Sequence, residues 1–317
     1  MRKTFVLVIF LLSFMNYGFT QDKTIKSLVE KTNDLNLDIW ELTEFAEKHL
    51  KDKEQLARFF YYWIGSNIKY DYETFPKVIS GEISNNEFWK RQDEFEVYKK
   101  RKGVCAGYAK LFDWFMFRID VESEIVSGHI RDERNHYIEL ESDDSFKHAW
   151  NAININEKWV LVDSTWGTSL DSNTSDFYFN IEPQRGIITH FPQEKKWQLL
   201  EKPLSLEDFN KSKFIKPVWF KVGYNDNPSI QQDNKYYYFI FRNNPNQNWL
   251  VEFLYSSDNY NFKKIPELKK IIQDGYTFLR FKKSRISEKA FFKVNLYELA
   301  GEVNYVLRYE DVINFKI

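Results

Sequence analysis

At 317 residues, with 43% apolar residues and 18% aromatics, the chain carries enough apolar material for two packed cores, which excludes a single small domain. Its formal net charge is −1, and its one dense basic run, residues 99–102, has no interleaved aromatics; together these exclude a nucleic-acid surface. The basic run reads instead as a solvated stretch ahead of Gly103.

The first element is a targeting segment. Arg2 and Lys3 give a positive start, residues 4–14 are almost unbroken apolar, and the small residues Gly18 and Thr20 precede Gln21. This predicts a signal peptide over 1–20, removed after Thr20, and a secreted or periplasmic mature protein. The apolar run is shorter than the roughly 20 residues that span a bilayer. No later stretch is long and apolar enough to cross one, so the mature chain is expected to have no transmembrane segment.

From Asp38 to Tyr70 apolar residues recur at three- and four-residue intervals (Ile39, Leu42, Phe45, Ala46, then Leu56, Phe59, Trp63, Ile64), which predicts two helices broken near Lys51 to Lys53. A further helix is expected over Asn86 to Tyr98. Gly103 interrupts the pattern. A new helical stripe, Ala106, Ala109, Phe112, Phe115 and Met116, then places Cys105 in the first turn of a helix. Cys105 is the only cysteine of a chain expected to be exported, so no internal disulfide explains it. A buried filler thiol is one account. The other is a nucleophile, because a thiol at a helix N-terminus meets the positive end of the helix dipole, which favours the reactive thiolate.

After Glu124 the texture changes to short strands, Ile125 to Ile130, His136 to Leu140, His148 to Ile155 and Trp159 to Val162, with polar turns at Ser142 to Ser145 and Asn156-Glu157. A helix followed by an antiparallel sheet makes this half α+β. If Asn156-Glu157 is a hairpin turn, Ile155 faces Lys158, Trp150 faces Asp163 and His148 faces Thr165. His148 and Asp163 are then diagonal neighbours on one face, with Cβ atoms roughly 7–8 Å apart or somewhat less. A one-residue slip would put them on opposite faces. A thiolate nucleophile needs a base, and the base needs a group that fixes its tautomer; His148 and Asp163 meet those needs. From Lys216 onward strand-like runs follow one another, Val218 to Val222, Tyr236 to Phe241, Leu250 to Tyr255, Thr277 to Phe281, Phe291 to Leu296 and Asn304 to Tyr309, which predicts a separate β-sandwich.

Three segments, Gly103-Val104-Cys105-Ala106-Gly107-Tyr108-Ala109, His148-Ala149-Trp150-Asn151 and Val162-Asp163-Ser164-Thr165-Trp166-Gly167, resemble the three motifs of transglutaminase-like proteins, particularly the branch that includes kyphoscoliosis peptidase. The likeness extends to Trp63-Ile64 and Asn67 to Asp71 before the cysteine, and to Thr189 to Pro192 and Trp197 to Leu200 after it. The likeness spans about residues 38–200 and implies a papain-like fold, which puts the catalytic domain at 21–210; the strand-like runs put the β-sandwich domain at 211–317. The resemblance further implies a Cys105, His148, Asp163 triad, a thioester intermediate, a protein or peptide substrate, and neither metal nor organic cofactor. The Thr168-Ser169 pair departs from the small residues often seen after Gly167.

The oxyanion hole should use the backbone N–H of Cys105 and one upstream donor, for which Tyr70 is the candidate. Trp150 and Trp166 are candidates for the cleft wall. His190 reads as structural, and His129 and His136 as surface residues beside a polar loop. Three activities fit these residues: thiol-dependent cleavage of a peptide or isopeptide bond, glutamine acyl transfer to an amine with crosslinking, or a non-catalytic protein-binding module. The intact triad favours the enzymes, and the peptidase branch favours cleavage.

Overall fold

The structure is a computed structural model and describes residues 22–132, 139–141, 147–168, 175–246, 248–287, 289–300 and 304–317. The described residues divide into two compact units, the first drawn from 22–128, 147–183 and 192–200, the second from 129–132, 139–141, 184–191 and 201–317. Residues 129–132, 139–141, 184–191 and 201–210, expected in the catalytic domain, belong to the second unit. The expected signal segment lies outside the described residues, as do most of the strand expected at His136 to Leu140 and the turn at Ser142 to Ser145.

The first unit opens with α1 (22–32), α2 (Ile39–His49) and α3 (Lys53–Asn67). Asp38 starts α2 with a capping box, its side chain accepting the Trp40 and Glu41 N–H groups at 2.8 Å while Glu41 accepts the Asp38 N–H. Asp52 caps α3 in the expected break. The stripe read from the sequence is the buried face of α3, where Phe60 stacks on Phe115 with centroids 4.2 Å apart.

Then follow β1 (Lys69–Tyr70), α4 (Thr74–Ile79), α5 (Asn85–Arg91), α6 (Glu94–Lys100), β2 (Lys102–Gly103) and α7 (Cys105–Arg118). The single helix expected over 86–98 is two. Asp93 accepts the Phe95 N–H and caps a new helix, and the buried Gln92 closes the old one. β1 and β2 pair in parallel, Tyr70 opposite Gly103.

Strands β3 (Ser123–Ile130), β4 (Lys147–Ile155) and β5 (Lys158–Val162), the short α8 (Ser164–Gly167) and β6 (Phe179–Ile181) complete the frame of the site, the strands lying in the order β6-β5-β4-β3. Helix α7 packs on β4, and one hydrophobic cluster joins α3, α7 and the sheet through Phe60, Phe112, Trp150, Ile153 and Val162. The fold of this unit is α+β.

Next in chain order come α9 (Pro183–Gly186), β7 (His190–Pro192), α10 (Leu206–Lys211), β8 (Phe214–Ile215) and α11 (Val218–Lys221). The strand expected at Val218 to Val222 is therefore a helical turn. Pro217, with φ −53°, is already set for a helix start, and its ring overrides the β-branched and aromatic composition that follows. β9 (Ser229–Gln232), β10 (Tyr236–Arg242), β11 (Trp249–Ser256), β12 (Lys263–Lys264), β13 (Lys269–Gln273), β14 (Tyr276–Lys282), β15 (Phe291–Ala300) and β16 (Asn304–Lys316) form two sheets of order β13-β14-β10-β9 and β12-β11-β15-β16-β8.

The two sheets face each other through Phe239 and Phe281 on one side and Phe253, Phe292 and Phe315 on the other. Phe239 lies 4.8 Å from Phe253, centroid to centroid, which makes a sandwich. Strands β9 and β13 gave no sequence signal, since β13 is exposed at every position and has no inward-facing alternation. Among the described residues no helix is long and apolar enough to cross a membrane.

Candidate active site

Cys105 is the first residue of α7 and is half-buried. The residue before it, Val104, is the N-cap and brings no side-chain cap, so the loop must be held from elsewhere. The buried Gln92 does this, its Oε1 accepting the Val104 N–H at 2.9 Å. A Cβ at Gly107 would lie 2.7 Å from that same oxygen and 2.8 Å from Val97, so only glycine lets the first turn of α7 sit this close to Gln92. Nothing in the sequence marked Gln92, whereas Gly107 lay in the quoted motif.

The hairpin that carries the other two residues has the register expected from its turn, Ile155 opposite Lys158 through Asn151 opposite Val162. Asn156 and Glu157 both take left-handed backbone conformations, φ 53° and 62°, as a tight two-residue hairpin turn requires. The ladder stops at Asn151 and Val162, so the cross-strand pairs expected at Trp150–Asp163 and His148–Thr165 are absent from it. Asp163 leaves the strand to cap α8, accepting the Trp166 N–H on Oδ1 at 2.9 Å, and Thr165 is inside that helix. The diagonal approach survives this change. His148 Nε2 lies 2.8 Å from Asp163 Oδ2, with the imidazole buried and the carboxylate wholly so.

Each carboxylate oxygen thus has its own donor, and the Asp163 N–H is donated to the Tyr178 carbonyl at 2.9 Å. The charge of Asp163 adds to burial in keeping the Tyr61 and Tyr178 hydroxyls well above the ordinary phenol range, hence neutral. Tyr61 also bounds α8: a Cβ at Gly167 would come 2.1 Å from its hydroxyl oxygen. Asn151 ties β4 to α7, its Nδ2 donating to the Ala109 carbonyl at 3.0 Å, and so fixes the strand of His148 against the helix of Cys105.

The thiol and the imidazole meet. Burial pushes the Cys105 thiol up, but the hydrogen bond from His148, the charge of that ring and the Ala149 N–H outweigh burial and leave it below the ordinary thiol value. Burial likewise acts to lower His148, and Asp163, by charge and by hydrogen bond, reverses this with help from Cys105, raising the ring to about 10. With Nε2 facing a carboxylate, Nδ1 is the nitrogen left for the sulfur. The environment therefore favours a thiolate–imidazolium pair.

The remaining sequence candidates fall around this centre. Tyr70 is half-buried on β1, two strand positions from the cysteine loop, its ring 4.8 Å from Tyr72 and 6.3 Å from Tyr108. Trp150 is 1% exposed and packs in the core with its ring stacked 6.0 Å from His148. Trp166 is half-buried, 5.8 Å from the His148 ring and edge-on to Tyr178. His190 is buried, with Nδ1 2.8 Å from the Thr189 hydroxyl. His129, expected at the surface, is 5% exposed, because it lies within the strand β3 instead of entering the polar loop. His136 lies outside the described residues.

Residues 42–164 match the family model of the transglutaminase-like superfamily. Over 190 residues the chain is 31% identical to kyphoscoliosis peptidase of Mus musculus, covering 57% of this chain and 27% of that protein. With kyphoscoliosis peptidase of Homo sapiens it shares 32% identity over 175 residues, 53% of this chain and 25% of that one. The chain spans about a quarter of the length of these relatives. A crystal structure of a TGase aligns with a TM-score of 0.30 at 16% identity, over 49% of this chain and 34% of that chain.

Proposed function

We propose that this chain, whose residues 42–164 form a domain of the transglutaminase-like superfamily, is an exported thiol enzyme that cleaves peptide or isopeptide bonds through a thioester. The observation that carries the reading is the buried 2.8 Å pair of His148 and Asp163 set against Cys105 at the start of α7.

In this mechanism the Cys105 thiolate attacks the amide carbonyl and forms a carbon–sulfur bond, and the carbonyl electron pair moves to oxygen. As the carbon–nitrogen bond breaks, the His148 imidazolium gives its proton to the departing amine. Water then attacks the thioester, its proton passes to His148, and the thiolate leaves with the carboxylic acid released. Asp163 holds the ring and stabilises its cationic form throughout. The Cys105 N–H is one donor for the oxyanion, and Tyr70 is proposed as the second. The relatives named as peptidases support hydrolysis over transfer.

The test is incubation of the purified mature protein with a peptide library, with and without a primary amine, and identification of products by mass spectrometry. Free carboxylic acids in both arms are expected. Amine-bearing products as the main species would replace cleavage by acyl transfer, and no product in either arm would leave a binding module. Export rests on the charged and apolar start of the chain: protein recovered from the native host should begin at Gln21, and intact Met1 on cytoplasmic protein would refute it.

A further inference from the structure

The two neighbours of the thiol belong to an apolar cluster of their own. Val104 is buried with Ile83 and Phe88, and the half-buried Tyr70, Val78 and Ala106 pack against these three. The cluster reaches solvent at two places. On one side Tyr70 bears on Tyr72, which is 76% exposed. On the other Phe88 meets the edge of Trp89 at 5.0 Å, and Trp89 is 53% exposed with the Lys110 ammonium of α7 5.3 Å from its ring.

The backbone also pairs the segment that leads to Tyr72 with the segment that leads to Cys105. β1 and β2 pair in parallel with Tyr70 opposite Gly103, and the Asp71 N–H continues the pairing by donating to the Gly103 carbonyl at 2.9 Å. Two residues further on, Tyr72 and Cys105 leave the ladder together. Large aromatic faces left in water are common singly, but here two of them rest on the apolar cluster that holds both chain neighbours of Cys105, which is the pattern of a binding surface.

We propose that this shelf is the specificity surface of the site and that it takes a peptide segment carrying an aromatic or large aliphatic side chain next to the bond attacked by Cys105. The occupant is a peptide because the group delivered to the thiolate is an acyl group. Its side chain is apolar because the cluster that joins Tyr72 to Trp89 is built of Tyr70, Val78, Phe88 and Ala106. The inference rests on the nucleophile assignment of the previous section.

The experiment uses the full mature chain and two peptidyl chloromethyl ketones, alike except for phenylalanine or lysine at the residue next to the warhead; in both the thiolate displaces chloride. Iodoacetamide, which has no peptide part, is run beside them. The phenylalanine probe is expected to inactivate at least about tenfold faster than the lysine probe. Tyr72→Ser combined with Trp89→Ser should bring the two within about twofold while the iodoacetamide rate, which reads the thiol alone, holds. Equal probe rates in the unmodified protein, or a preference the double variant leaves intact, would overturn the shelf. So would a dimer in sedimentation that the double variant dissociates without moving the probe rates, since a second copy would then be the occupant. Slow iodoacetamide labelling in the unmodified protein would instead refute the nucleophile itself.

Discussion

Taken alone, burial would make Cys105 a neutral thiol and His148 a neutral imidazole; His148 and the Ala149 N–H move the thiol the opposite way, and Asp163 and Cys105 move the imidazole the opposite way. The signs give a pH window. Cys105, lowered in the fold, is thiolate above its folded value, and the stability this contributes is lost as pH falls through that value. His148, raised in the fold, is imidazolium below about 10, and its contribution, full below the ordinary histidine value, is lost as pH rises through about 10. Iodoacetamide labelling of the folded protein should therefore begin below the roughly 8.5 of a free thiol. His148→Ala removes the two larger lowering influences and leaves burial opposed by the Ala149 N–H alone, so its labelling should begin at higher pH than in the parent protein. Coincident pH profiles for the two proteins would contradict the pairing.

Asp163→Asn tests the third member, because Asp163 serves two donors with two oxygens. The amide has one oxygen. If that oxygen keeps the Trp166 N–H, the NH2 group faces His148 Nε2 and forces it to accept, so the imidazolium is lost while the cap survives. Turnover should fall by about 10⁴-fold, the scale of a triad carboxylate made neutral. Circular dichroism should stay that of the parent protein, and the labelling profile should move up towards that of His148→Ala.

At the scale of elements the site depends on a hairpin register, and the register depends on a turn. Glu157 sits at φ 62° without being glycine, a conformation costing roughly 1–2 kcal/mol for an L-residue. Glu157→Gly removes that cost and adds roughly 0.5–1 kcal/mol of backbone entropy to the unfolded chain. A net gain of about 0.5–1 kcal/mol in urea unfolding is expected, with the labelling rate unchanged; a loss of stability would mean that the turn does not set the register.

This turn is also why so much of the site was legible. Two polar residues between alternating apolar runs fixed which residues share a face, and a helical stripe starting at Ala106 fixed where Cys105 stands. Gln92 and Asn151 act by reaching another element, Gln92 across twelve positions to Val104 and Asn151 across forty-two to Ala109. No local period encodes such contacts. The turn at Val218 was misread for a related reason: strand-like composition is a weak preference, and one proline ring outweighs it.

On the scale of the whole molecule, the second unit draws on three stretches of chain, and that decides where it can be cut. The sequence puts the strand-like half of the chain from Lys216 onward. In the fold Phe214 and Ile215 form β8, the edge strand paired with β16 through Asn314 and Ile313, and the residues just ahead are equally engaged. Phe209 is wholly buried, ringed by Phe191 at 5.1 Å and by the Arg131 guanidinium at 4.3 Å, and Arg131 also donates to the Phe209 and Ser212 carbonyls at the end of α10.

A fragment of residues 216–317 would lose Phe209, Phe214 and Ile215 from its core. At about 1.5–3 kcal/mol for each large side chain, the loss is roughly 5–9 kcal/mol, comparable with the roughly 5–15 kcal/mol that holds a domain together. A fragment of residues 201–317 keeps all three and loses the contacts from the two earlier stretches, among them Phe191 and Arg131 on Phe209. The longer fragment should therefore show a cooperative urea transition, at a lower midpoint than the intact chain, and the shorter one should show none. Equal cooperative transitions for both would mean that β8 and α10 contribute nothing to the second core, and that the boundary belongs at Lys216.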